Sequence, residues 1–191
     1  MANHCYNYAY FEGSKEDINK AVKSITDAKN DEHLWWETYK KVFGDKYNYE
    51  SQDVGAEFGS KWFDCIVDYN EHSITLTGDS AWSPPLAFFQ KLCDTFNLSC
   101  CADYEECGND FGGWWEYING TLIKDIQVSY LLFRIENDKG SALEIILESA
   151  EDGLYTDYED FENYAGVEVL SRLSANDKEE IRKAINNNLK D

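Results

Sequence analysis

Between Cys5 and Phe11 the chain reads Cys-Tyr-Asn-Tyr-Ala-Tyr-Phe, an alternation that predicts a β-strand closed by Gly13. Apolar residues then recur at Ile18, Ala21, Val22, Ile25 and Ala28, the spacing of one helix face, and Ser14 with Asp17 three residues on supplies a capping-box-like start. From Asn30 to Ser60 the pattern weakens: Trp35, Trp36, Tyr39 and Val42 predict a short helix, and the polar remainder reads as a variable insertion. Lys61–Asp68 and Ser73–Thr77 predict a hairpin through the polar turn Tyr69-Asn70-Glu71-His72. Pro84 and Pro85 suit the first turn of a second helix, where a missing N–H costs little, with Leu86, Phe89, Leu92, Cys93 and Phe96 as its apolar stripe. Strands follow over Leu98–Tyr104 and Trp114–Ile118, the latter turning at Asn119-Gly120.

The order β-α-β-β-α-β-β contains the split β-α-β repeat of ferredoxin-like sandwiches, and one sheet with two helices on one face is the economical way to bury it. Gln127–Glu136 and Ala142–Glu148 flank the turn signal Asn137-Asp138-Lys139-Gly140 and predict a further hairpin, with a short helix equally compatible with the second limb. Thr156 with Glu159 predicts the start of a helix carrying Tyr158, Phe161 and Ala165, and Ser174 with Asp177 that of a last one carrying Ile181, Ala184, Ile185 and Leu189. The expected fold class is α+β: a ferredoxin-like antiparallel core over residues 1–130 with an insertion near 30–60, and an acidic hairpin or helical extension over 131–191 packed on that core.

Charge narrows the function classes. In 191 residues, 17 basic side chains face 37 acidic ones, a formal net charge of −20 that opposes direct binding to nucleic acid or to an anionic membrane. The expected partner is a basic or neutral host protein. With 43% hydrophobic and 15% aromatic residues and only 2 prolines, the chain has the means to bury a core rather than remain disordered. The opening Met1-Ala2-Asn3-His4-Cys5-Tyr6 has no basic or apolar targeting region, and no apolar run reaches the roughly 18 residues of a membrane span, so a soluble, cytoplasmic protein is expected. Six cysteines in a long chain of this kind predict reduced thiols rather than a disulfide framework.

Three segments occur in order: Gly59-Ser60-Lys61-Trp62, Asp79-Ser80-Ala81-Trp82-Ser83-Pro84-Pro85, and Tyr104-Glu105-Glu106-Cys107-Gly108-Asn109-Asp110-Phe111-Gly112-Gly113. Together they resemble the YubB ferredoxin-like domain family of plasmid and phage proteins, in which Lys-Trp, a Trp-Ser-Pro-Pro helix start and an acidic Glu-x-Gly-x-x-Phe-x-Gly loop recur at about this spacing. The resemblance implies a ferredoxin-like fold and a mobile-element context over the first two thirds of the chain. It implies no reaction and no iron–sulfur chemistry, since fold and chemistry travel separately.

Candidate chemistry is sparse. Cys93, Cys100, Cys101 and Cys107 lie close in sequence but lack Cys-x-x-Cys or cluster spacing, and neighbouring Cys100 and Cys101 point to opposite faces of a strand, so no metal site and no cofactor is expected. His4, His33 and His72 have no metal-binding or nucleophile companion at a recognisable spacing. Glu105, Glu106, Asp110 and Glu116 flank a glycine-rich loop near Trp114 and Trp115, and a hydrolase would use such carboxylates beside a stacking aromatic. Trp62 and Trp82 are expected to pack the hairpin against the second helix. One of Trp114 and Trp115 fills the core while the other meets the opposite surface.

The strongest functional signal is the run Glu144, Glu148, Glu151, Asp152, Asp157, Glu159, Asp160 and Glu162, which contains no lysine or arginine. Interleaved Tyr155, Tyr158 and Phe161 predict an ordered acidic surface that imitates a phosphate array and enters the basic cleft of a partner. Trp82, Glu105, Glu106, Asp110 and Trp115 form a second candidate surface, suited to a partner or to a small molecule. The sequence thus points to a non-enzymatic interaction protein, with a small-molecule binder or carboxylate-dependent hydrolase as the alternative.

Overall fold

A computed structural model describes residues 3–26, 59–60 and 62–188. The expectations for Ala28, His33, Trp35, Trp36, Tyr39, Val42 and Leu189 lie outside the described residues. The chain divides into two compact units, Met1–Gln127 and Val128–Asp191.

In the first unit the order is β1 (His4–Glu12), α1 (Lys15–Thr26), β2 (Phe63–Tyr69), β3 (Ser73–Ala81), α2 (Leu86–Phe96), β4 (Ser99–Glu106), β5 (Phe111–Ile118) and β6 (Thr121–Val128). The strands form one antiparallel sheet in the order β2-β3-β1-β4-β5-β6. Its first four strands, with α1 and α2, have ferredoxin-like connectivity: β1 pairs with β3 on one side and β4 on the other, so β3 separates β1 from β2. Ser14 caps α1 as its spacing predicts, with the Asp17 amide donating to Ser14 Oγ at 3.2 Å.

Alternation decides which side chains are buried. On β1, Cys5, Asn7, Ala9 and Phe11 face α1 and α2, while His4, Tyr6, Tyr8 and Tyr10 face the other way. Phe11, Phe63, Phe88 and Phe89 form the aromatic centre of the core, with Phe89 edge-on to Phe11 at 5.8 Å and to Phe63 at 5.7 Å. Buried Asn7 is satisfied within the sheet, donating through Nδ2 to Cys5 O at 2.7 Å and to Ser80 Oγ at 2.8 Å.

Two details differ from the sequence expectation. Pro84 and Pro85 precede α2, with Pro85 as its N-cap, instead of lying in its first turn. The Asn119-Gly120 turn leads into β6, a sixth strand with Leu122, Ile123 and Ile126 all exposed. Asn119 at φ 50° and Gly120 at φ 76° supply the two positive angles of a type I′ hairpin, which explains this dipeptide here.

The second unit is helical: α3 (Tyr130–Asn137), α4 (Lys139–Glu151), α5 (Tyr158–Arg172) and α6 (Ala175–Asn188). The hairpin expected across residues 127–148 is therefore corrected to two helices. Ser129 caps α3 by accepting from the Leu132 amide at 3.4 Å, and Asp138 caps α4 by accepting from the Ser141 amide at 3.2 Å. The Asn137–Gly140 signal thus marks a helix junction, and Ala142, Ile146 and Ala150, four residues apart, line a core with Leu131, Leu132, Phe161, Ile181 and Ile185.

Helix α4 ends in a Schellman motif. Leu154 N donates to Ser149 O at 2.9 Å and Gly153 N to Ala150 O at 3.3 Å, with Gly153 at φ 76°. Asp157, not Thr156, caps α5, accepting from the Asp160 amide at 2.9 Å. Gly166, at φ 73°, breaks α5 internally.

Ser174 and Asp177 form a reciprocal capping box at α6, with amide contacts of 2.7 and 3.2 Å, and Lys139 Nζ reaches the same carboxylate at 2.6 Å. Lys139 and the Ser174 amide hold the Asp177 carboxyl below its ordinary value of 3.8. A carboxyl depressed by folding stabilises the fold above its unfolded value and loses that contribution as pH falls through the folded value. Asp177→Asn is expected to reduce stability at neutral pH and to flatten its decline below about pH 4, which urea melts across acid pH measure.

Candidate functional site

Glu144, Glu148 and Glu151 follow one another at intervals of four and three residues along α4, Asp152 is its C-cap, and all four are exposed. Among the described residues, no lysine or arginine pairs with any of them. The remaining members of the predicted run divide by task. Glu159 is exposed and Glu162 half-buried, but Asp157 is the α5 cap and Asp160 accepts from the Thr156 amide at 3.0 Å, so these two carboxylates serve the helix start.

Tyr155, expected at the partner surface, lies instead in the core of the helical unit. Tyr155 and Phe161 are buried edge to face at 5.3 Å in the helical core, and burial pushes the Tyr155 hydroxyl up to about 12. Tyr158 is half-buried, with the Arg182 guanidinium over its ring at 4.0 Å. The acidic surface is therefore carried by α4, and its interleaved rings hold it from beneath.

The second predicted surface is partly assembled. Antiparallel pairing brings the end of β3, the start of β1 and the β4–β5 loop to one end of the sheet, where the Trp82 amide donates to Asn3 O at 3.0 Å. The Asn3 side chain abuts Gly108 of the loop, so a Cβ there would lie 2.6 Å from Asn3 Nδ2. Trp82 has φ 62° and is 46% exposed as a residue, so it is not enclosed between hairpin and helix as expected.

Two other members of that surface are not available. Glu106 is buried and spends both carboxylate oxygens on the loop, accepting from the Gly108 amide at 2.8 Å and the Asn109 amide at 2.6 Å. That removes it from acid–base service. Trp115 lies in the core, stacked on Tyr117 with centroids 5.6 Å apart. Glu105 and Asp110 remain near the loop, Asp110 at φ 53° within its turn.

A third surface was not singled out by sequence reasoning: the face of the sheet away from α1 and α2. Tyr6 is 45% and Tyr8 42% exposed there. Strand register places Tyr6 between Asp79 and Glu105, and Tyr8 between Thr77 and Asp103, which in turn opposes Trp114. Lys124 of β6 crosses this face with Nζ 5.2 Å over the Trp114 ring and 3.7 Å from Glu116. Burial raises the Asp103 carboxyl while Lys124 opposes the rise. The alternating tyrosines at 6, 8 and 10 were a visible signal; the strand order that leaves their face open was not.

All six cysteines are thiols rather than disulfide halves. Burial drives Cys5 up to about 12 and Cys100 well above its ordinary value, the opposite of an activated thiolate. Exposed Cys101 is also raised, by burial and then by Glu116 and Glu12. Among the described residues, no group of three His, Cys, Asp or Glu side chains is placed to hold a metal ion, and no helix is long and apolar enough to cross a membrane.

These surfaces belong to an α+β protein with a ferredoxin-like sheet and a separate helical unit. Residues 46–134, just under half of the chain, match the sequence model of the ferredoxin-like domain in Api92-like protein. The match spans β2 to β6, and therefore all three sequence motifs, but leaves β1 and α1 outside it. No curated protein and no solved structure matches the chain.

Proposed function

We propose that the protein is a non-enzymatic, acidic interaction protein that binds a basic protein partner, an accessory factor of the plasmid or phage kind that its resemblance to the YubB ferredoxin-like family implies. The observation that carries this reading is the exposed, unpaired row Glu144, Glu148, Glu151 and Asp152 on α4. A row of carboxylates on an ordered helix presents charge at fixed spacing, which steers a basic partner and fixes its register. The same row repels nucleic acid and anionic membrane, so a protein cleft lined with lysine or arginine is its complement.

Four exposed pairs at roughly 0.2–1 kcal/mol each amount to about 0.8–4 kcal/mol, a change in affinity of about fourfold to several hundredfold. Replacing these four carboxylates by amides is expected to abolish recovery, from host lysate, of a basic protein that wild type holds and that salt releases. Equal recovery by the amide variant overturns the reading.

A second reading, a small-molecule site at the end of the sheet, is supported by Trp82. A bulky, exposed residue held at φ 62° stores backbone strain, a feature that clusters at binding sites. It ranks second because Glu106 and Trp115, two of the groups such a site would use, are occupied in the fold.

A further inference from the structure

We propose that the open face of the sheet is a docking platform for arginine side chains of an extended, basic protein segment, with Tyr6 and Tyr8 as the rings on which they stack. The face belongs to the first unit and is a different surface from the acidic row on α4. The two readings share only the sign of the partner's charge.

Geometry selects the occupant. Tyr6 and Tyr8 stand on the same face of β1, roughly 6.8 Å apart, which is also the repeat of every second side chain in an extended peptide. Neighbouring strands lie about 4.8 Å away, so carboxylates flank the rings: Asp79 and Glu105 on either side of Tyr6, Asp103 beside Tyr8. A cation placed over such a ring gains both from the ring's negative face and from the carboxylates. A phosphate is repelled, and an apolar occupant would strip water from Asp79 and Asp103 without bringing either a cation.

The face already holds one cation in this manner. Lys124 lies over Trp114 and beside Glu116, an intramolecular version of the contact proposed for the partner. Among the described residues, no lysine or arginine covers Tyr6 or Tyr8. Arginine suits those two rings better than lysine, because a flat guanidinium stacks on the ring while its edge donates in a fork to a carboxylate. His4 Nδ1 lies 3.8 Å from Asp79 Oδ2, longer than a hydrogen bond.

The test uses the full chain and two fluorescent peptides of equal length and charge, one alternating arginine with threonine, the other lysine with threonine. Anisotropy titrations at physiological salt are expected to show the arginine peptide bound about fivefold more tightly. A Tyr6→Thr, Tyr8→Thr double variant, which keeps β-formers in the strand, is expected to lose that preference. The α4 amide variant is expected to weaken both peptides together and keep their ratio. A change confined to that variant, with the tyrosine variant unaltered, overturns the platform.

Equal binding of the two peptides by wild type, or an undiminished preference in the tyrosine variant, overturns the proposal. Amide chemical shifts of wild-type protein with the arginine peptide give an answer that does not depend on a variant folding. Shifts at Tyr6, Tyr8 and Asp103 support the platform, and shifts restricted to the helical unit overturn it.

Discussion

Phe89→Ala is expected to lower the unfolding free energy by about 3–5 kcal/mol. Phe89 is fully buried at the contact of α2 with the sheet, edge-on to Phe11 of β1 and Phe63 of β2 and 6.1 Å from Phe88. Truncation removes the transfer energy of the ring and leaves a cavity between elements tied by hydrogen bonds, which restricts their collapse into it. Much of a typical domain's stability of roughly 5–15 kcal/mol is at stake. Urea titration followed through amide signals of β1 and β4 measures the loss. A change below about 1 kcal/mol would show that the ring is not packed as described.

Gly78→Ala is expected to have the second largest effect, and by a different route. A Cβ at this position of β3 would lie 2.0 Å from the Asp64 carbonyl oxygen and 2.6 Å from Cys65 Cα. Both obstacles are backbone of β2, so no side-chain rotation relieves them. The strand must move off its partner, at a cost of about 3 kcal/mol or more once the ladder and the burial of Phe63 are counted. Because β2 is an edge strand, the disturbance should concentrate there. Hydrogen exchange is expected to accelerate at β2 amides well before those of β4, and uniform protection across the sheet would contradict the close approach.

Local signals account for much of the first unit. Period-2 alternation marks β1, the Ser14-Asp17 pair and its apolar stripe mark α1, and proline followed by a regular stripe marks α2. Where an element is apolar at nearly every position, the pattern fails. Val128 and Tyr130–Phe133 have no resolvable period, and Asn137-Asp138-Lys139-Gly140 serves a helix junction as readily as a β-turn. Strand β6 escaped because its apolar residues are exposed and no buried face repeats every second position.

The candidate sites were legible in proportion to how local they are. The i, i+4 spacing of Glu144 and Glu148 presents both on one helix face whatever surrounds it. For Trp115, Tyr155 and Glu106, the outcome depends on what the opposite side of the element meets, and composition carries no such information. Tyr6 and Tyr8 are the converse case: they share a face by alternation, but only the placement of both helices on the other side leaves that face open.

The sheet is also a schedule. Strand β1, inside the sheet, precedes both of its partners by a long stretch of chain: His4 pairs with Ala81, 77 residues later, and Tyr6 with Glu105, 99 residues later. At ribosomal rates of roughly 5–20 residues per second, β1 waits on the order of ten seconds before both neighbours exist. During that interval a strand with buried-type residues on one side and tyrosines on the other has no partner on either edge. Carboxylates at 12, 16 and 17 place negative charge at the end of this segment and just beyond it, the kind of residue that discourages edge-to-edge pairing. Synthesis conditions that slow elongation between residues 12 and 106 therefore lengthen the most aggregation-exposed phase in the life of this chain.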